Sequence, residues 1–188
     1  MGKSTRGRRA TRQTKHTILI VTNGERTEKA YLDEVKRLAS KPGLSIKVEF
    51  INGDGNNIVK KLRSPHGDTS AYDEVWIVID ADGKDRSDFV AQCGKLSGKQ
   101  IWRGIVSVPC FEVWLTAHYE PVQNYVDQAD AQKHYKQLIP AGTNPKHLPE
   151  DFPWEGMNDA IERCHLPGAE ESAASIKSLS PQAQPCPN

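Results

Sequence analysis

The sequence has no CxxC pair, no glycine-rich phosphate loop of recognised spacing, no internal repeat and no apolar run long enough to cross a bilayer. Each absence removes a class of protein. The four cysteines, Cys93, Cys110, Cys164 and Cys186, are widely spaced and no signal-peptide pattern precedes them, so free thiols in a reducing compartment are expected in place of disulfides or a zinc site. The longest apolar runs, "TILIVT" and "VWIVI", are about a third of the length a spanning helix needs. The expectation is a soluble, cytoplasmic protein without a membrane partner. Lacking a phosphate loop, the chain is also a poor match to a flavodoxin-like binder of small phosphorylated molecules.

What is present is an uneven distribution of charge. Residues 1–16 carry six Lys/Arg, among them Arg8 and Arg9, and no acid; taking these from 25 basic residues leaves 19 against 24 acids, so the body carries −5 beneath a formal net charge of +1. The arm has no hydrophobic periodicity and is expected to be flexible. At 188 residues the chain suits one domain of residues 17–165, followed by a tail of low hydrophobicity over 166–188.

Within that domain strands and helices alternate. "TILIVTN" (17–23) is a β-branched run ended by Asn23-Gly24, and Thr27 is placed to cap a helix in which Ala30, Tyr31, Val35 and Leu38 form a stripe. "SIKVEFI" alternates as a half-buried strand and is followed by a turn and a short helix over residues 57–63. "EVWIVID" is the third strand, "RSDFVAQCGKL" a helix and "IWRGIVSV" the fourth strand. Helices are further expected in "CFEVWLTAHYE", over 127–138 and over 154–164. This order predicts an α/β fold with a mainly parallel sheet, helices on both faces and a helical C-terminal part. Trp76 and Trp114 lie in apolar runs and are expected in the core.

The third strand ends abruptly in acid, as "VIDADGKD". Ligands of an open parallel sheet bind beyond the carboxyl ends of its strands, where Asp80 falls. If the extended chain continues, Asp80 and Asp82 point to one side, and crowded carboxylates raise one another's pKa unless a cation neutralises them. Mg²⁺, with Mn²⁺ as a substitute, takes a few oxygen ligands while keeping waters and substrate phosphates. The blander alternative is that both acids are turn or capping residues. "TNGERTE" tips the balance, because it brings Glu25 and Glu28 to the end of the first strand, where a third carboxylate completes a divalent-metal site.

The segments "ILIVTNGERTE", "VIDAD" and "SVPCFEVWLTAHYE" resemble the RloB-like proteins, often encoded near bacterial restriction and abortive-infection systems and considered to have a Toprim-like (Rossmannoid) fold related to the nuclease domain of OLD-type proteins. The resemblance covers roughly residues 17–165. It implies a Mg²⁺-dependent nuclease or nucleic-acid-processing site of phage defence, built from an acid after the first strand and the pair Asp80 and Asp82 after the third, with DNA or RNA as partner and an ATPase encoded nearby. The glutamate that precedes Gly in Toprim domains is replaced by Asn23, and the family's Asn before Pro by Val108. Related chains continue past a segment like "PCPN" into another helix, so the tail here is expected to be either naturally short or cut short.

By two-metal logic, Asp80 is the expected bridging ligand, Asp82 a second ligand, and Glu28 or Glu25 the acid facing them. Glu112 is a fourth acid, or a favourable charge in a first helical turn. His118 is placed either to protonate a leaving group or, among Trp114, Leu115 and Tyr119, to pack as a hydrogen-bonded core residue. Lys84 and Arg86 flank the acids as phosphate contacts or as solvated loop charges, and Arg8 and Arg9 could track a nucleic-acid backbone. The competing function is a catalytically silent Toprim-like module that binds nucleic acid or the ATPase without cutting.

Overall fold

A computed structural model describes residues 15–164. Four strands, β1 (His16–Thr22), β2 (Leu44–Phe50), β3 (Glu74–Asp80) and β4 (Ile101–Ser107), form one sheet in the order β2-β1-β3-β4, with every neighbouring pair parallel. Six helices accompany them: α1 (Thr27–Leu38), α2 (Gly55–Leu62), α3 (Ser87–Leu96), α4 (Glu112–Tyr119), α5 (Gln128–Leu138) and α6 (Met157–Arg163). A single 3₁₀ turn, Trp154–Gly156, leads into α6.

The two faces follow the period of the strands. Ile18 and Ile20 of β1 with Trp76 and Val78 of β3 join the core under α1, α4, α5 and α6. Leu19 and Val21 with Val75, Ile77 and Ile79 pack against Ile58, Val59 and Leu62 of α2 and Phe89 and Cys93 of α3. A sheet covered on both faces needs continuous apolar strands, which is why β1 and β3 read as unbroken hydrophobic runs.

The first core holds an aromatic joint between α1 and α4. Tyr31 stacks on Trp154 with ring centroids 5.1 Å apart and meets Phe111, Trp114 and His118 edge-on. His118, 3% exposed, lies 3.2 Å through Nδ1 from the Pro153 carbonyl and 3.0 Å through Nε2 from the Tyr31 hydroxyl. A carbonyl only accepts, so Nδ1 carries the proton and the Tyr31 hydroxyl donates to Nε2. Burial pushes the imidazole down to about 4, which keeps it neutral. His118 is therefore a packed core residue, and Trp76 and Trp114 are buried as the sequence predicts.

Several local expectations are corrected. Thr27 is buried inside the first turn of α1, where Arg26 is the cap residue and no side chain caps the helix. The buried stripe of α1 is Thr27, Tyr31, Leu32 and Val35, whereas Ala30 and Leu38 are exposed. The helix expected over 57–63 begins earlier, at Gly55, because the Asp54 carboxylate accepts from the Asn57 backbone N–H at 2.8 Å. The arm with Arg8 and Arg9, and the tail with Cys186, lie outside the described residues.

Candidate active site at the switch point

The strand order places the reversal of chain direction between β1 and β3. From β1 the chain crosses through α1 to β2 on one side; from β3 it crosses through α3 to β4 on the other. Such a switch point opens a crevice beyond the carboxyl ends of the two strands. The Thr22 carbonyl accepts from the Ile51 N–H at 3.0 Å and the Asn23 N–H donates to the Val78 carbonyl at 3.3 Å, so β1 holds both neighbours to its last residue before the loop begins.

Acids from three segments line this crevice. Asp80, last in β3, follows Trp76 and Val78 onto the face that carries α1 and α4. Glu28 comes from the first turn of α1 and Glu112 opens α4. Asp80 is held up to about 8, chiefly by burial and then by the charges of Glu28, Glu112 and Asp82, against a hydrogen bond from the Phe111 N–H that favours the ionised form. Glu28 is also raised, first by burial and then by Glu112 and Asp82.

Glu28 reaches inward because of Gly24. A Cβ at residue 24 would sit 1.9 Å from the Glu28 carboxylate, so the hydrogen of glycine leaves the only room for it. The Gly24 N–H donates to the buried Thr22 hydroxyl at 3.0 Å, which fixes the loop under that carboxylate. Glu25 is exposed and is not among the acids acting on Asp80.

Asp80 and Asp82 do not share a side through continued strand geometry. The strand stops at Asp80; Asp82 and Gly83 have φ of 52° and 68°, and the Lys84 N–H donates to the Ala81 carbonyl at 3.0 Å. This is a tight turn with two left-handed central residues, which Asp and Gly tolerate. Asp82 is exposed, and Arg86 lies 3.5 Å from its carboxylate while donating through Nε to the Ala81 carbonyl at 3.2 Å. Arg86 thus braces the turn, and Lys84 stands exposed.

Among the described residues Arg86 is the one cation paired with any of the four acids. Carboxylate oxygens are the ligand type that hard divalent cations take. Asp80 feels the charge of the other three acids, and Glu28 that of Glu112 and Asp82, but the four do not converge on a point: among the described residues no group of three or more His, Cys, Asp or Glu side chains is gathered closely enough to hold a metal ion.

Beside the acids lies an open cleft of about 1290 Å³ between the β3–α3 turn, the end of β4 and the start of α5. Asp82 belongs to both cleft and acid cluster, and Gln132 on the far wall donates through Nε2 to Glu112 at 3.4 Å. Gly24, which the sequence offers only as part of a turn, and the Phe111 N–H and Gln132, which carry no signal in it, each contact one of these acids.

No helix of the described residues is long and apolar enough to cross a membrane. A family model described as "RloB-like protein" matches residues 18–185. No curated protein and no solved structure matches the chain.

Proposed function

The chain belongs to the RloB-like family, and from that premise we propose that it is a Mg²⁺-dependent nucleic-acid-processing protein that cleaves phosphodiester bonds at Glu28, Asp80, Asp82 and Glu112. The observation that carries this reading is the meeting of acids from β1–α1, β3 and α4 at the switch-point crevice, with one arginine among them. Four carboxylates so placed cost the fold stability, and a divalent cation offsets that cost. Mn²⁺ is the expected substitute for Mg²⁺.

Asp80 would be the central ligand, because it alone feels the other three; it ends a central strand and its carboxylate accepts from the Phe111 N–H at the start of α4. Asp82 is the exposed ligand facing solvent and substrate, while Glu28 over Gly24 and Glu112 tied to Gln132 supply the helix-borne oxygens. When bound, divalent ions supply a nucleophilic water at neutral pH and counter-charge for the leaving oxygen. The chain's own contribution is to hold the acids in a crevice walled by apolar strands and to keep Lys84 beside them for a phosphate. The family's setting near restriction and abortive-infection systems supports a role in phage defence with a separate ATPase as partner, and the Toprim relationship supports the nuclease assignment.

Labelled DNA and tRNA incubated with the full chain and Mg²⁺ or Mn²⁺, beside Asp80→Ala, test the reading. Metal-dependent cleavage lost in the variant is expected. A second reading, a silent module that binds without cutting, is favoured by Asn23 in place of the Toprim glutamate and by the failure of the acids to converge. An amide oxygen can coordinate but adds no charge and is no general base. Binding that persists in chelator, with no cleavage under either metal, would establish that module.

A further inference from the structure

The cleft beside the acids has walls of two kinds. One is the β3–α3 turn, with Lys84 and Arg86; the other is apolar, formed by Val106, Val108 and Pro109 at the end of β4 with Tyr125 and Val126 before α5. Val126 is 93% exposed and Val108 48% exposed, and both line the same opening. Tyr125 is not free to swing. Its hydroxyl lies 2.8 Å from His134 Nδ1, His134 Nε2 is 3.0 Å from Glu120, and the ring packs on the small cluster of Cys110, Val113 and Ala131. A braced aromatic ring next to two exposed valines is a surface for a flat, partly apolar group.

We propose that this cleft takes an unpaired nucleotide adjoining the phosphodiester held at the acid cluster, with its base against Tyr125 and Val126, so that the substrate is single-stranded or locally unpaired nucleic acid. The inference rests on the function proposed above. Two observations favour a nucleotide over another occupant. Asp82 is common to cleft and acid cluster, so a group in the cleft is continuous with one at the acids. Lys84 stands exposed on the wall opposite the apolar one, where a backbone phosphate leaves the cleft. A cleft of about 1290 Å³ exceeds the roughly 300–1,000 Å³ of small-ligand sites and leaves room for more than one nucleotide. A base within a duplex is stacked on both sides and paired, so it reaches such a wall only after extrusion, at a cost of unstacking. An unpaired base meets no such cost, and stacking on an aromatic ring is tolerant of sequence.

Fluorescence anisotropy with short labelled single strands of DNA and RNA, and with the matching duplexes, tests this on the full chain, with Ca²⁺ replacing Mg²⁺ to suppress cleavage. Val126→Asp and Tyr125→Ala are expected to weaken single-strand binding by about tenfold, Tyr125→Phe to bind as the parent does, and the parent to prefer single strand to duplex. Equal affinity for the two forms, or single-strand binding untouched by Val126→Asp, overturns the proposal; Val126→Asp alters a fully exposed side chain, so folding does not confuse the result. Failure to bind any oligonucleotide overturns it as well, and leaves the surface to a protein partner. Calorimetry of Mg²⁺ uptake by the same variants separates the two readings, since the cleft changes leave ion binding intact and only its absence in the parent removes the underlying function.

Discussion

Replacing Asp80 by asparagine isolates what the acid cluster costs the fold. In the native chain this carboxyl stands at about 8, against 3.8 for an unperturbed aspartate. Between those values the native state keeps a proton that the unfolded chain has lost, so raising the pH across the window favours unfolding. The gap is about 4 pH units; at ~1.36 kcal/mol for each, the full loss above pH 8 is on the order of 5 kcal/mol. Part of it is relieved as Glu28 and Glu112 move apart and water enters, so roughly 2–3 kcal/mol is expected to remain. Asparagine has the same shape, keeps an oxygen for the Phe111 N–H and bears no charge. In chelator at about pH 8.5, Asp80→Asn is therefore more stable than the parent by roughly 2–3 kcal/mol, a rise in melting temperature of roughly 6–10 °C for a domain this size. Near pH 4.5, just above the unfolded value of 3.8, the folded parent retains its proton and the difference shrinks to about 1 kcal/mol. His118 acts in the opposite sense: its folded value of about 4 lies below the unfolded 6.5, so stability falls as the pH drops from 6.5 toward 4. That loss is common to both proteins and cancels in the comparison. Urea unfolding followed by tryptophan fluorescence at both pH values is the assay, and coincident midpoints for parent and variant at the higher pH would refute the crowding of carboxylates around Asp80.

Mg²⁺ closes this gap: at about a hundred times its dissociation constant it stabilises the parent by ~2.7 kcal/mol and leaves Asp80→Asn nearly unmoved, as thermal melts with and without the ion will show. Calorimetry of that binding in buffers of different ionisation enthalpy should register proton release near neutral pH, because Asp80 must ionise to coordinate. Gly24→Ala sets a methyl against the Glu28 carboxylate and drives it out of the crevice, so Mg²⁺ affinity is expected to fall by about tenfold while secondary structure is unchanged by circular dichroism. Tyr31→Phe leaves His118 Nε2 without its donor and costs about 1–2 kcal/mol. It leaves the pH profile of any cleavage in place, since the imidazole is neutral throughout; a displaced profile would return His118 to the chemistry.

The sheet was legible because two buried strands must be apolar without interruption, and "TILIVT" and "EVWIVID" are so; the observed β1 and β3 differ from the expected ones by a residue at most. Glu28 and Glu25 could not be separated in advance, since Glu25 lies in the turn before α1 and Glu28 in its first turn, and the room for Glu28 comes from a missing Cβ at Gly24, neither of which leaves a period in the sequence. Asp80 and Asp82 do not align because the extended chain ends at Asp80 and φ changes sign at Asp82, two residues on. Thr27 has the residue type of a cap, but its side chain is buried inside the first turn of α1 and caps nothing. The cleft was beyond reach because α5 and the β3–α3 turn are some forty residues apart and meet only through tertiary packing.

Glu28 and Tyr31 are three residues apart on α1, and Glu112 and His118 six apart on α4, so each charged end is rigidly continuous with the joint of rings beneath it. The span from one helix-borne oxygen to the other is consequently gauged in hydrocarbon, a turn or two away from any charge. Side chains that never approach an ion act there as the ruler for those proposed to hold one.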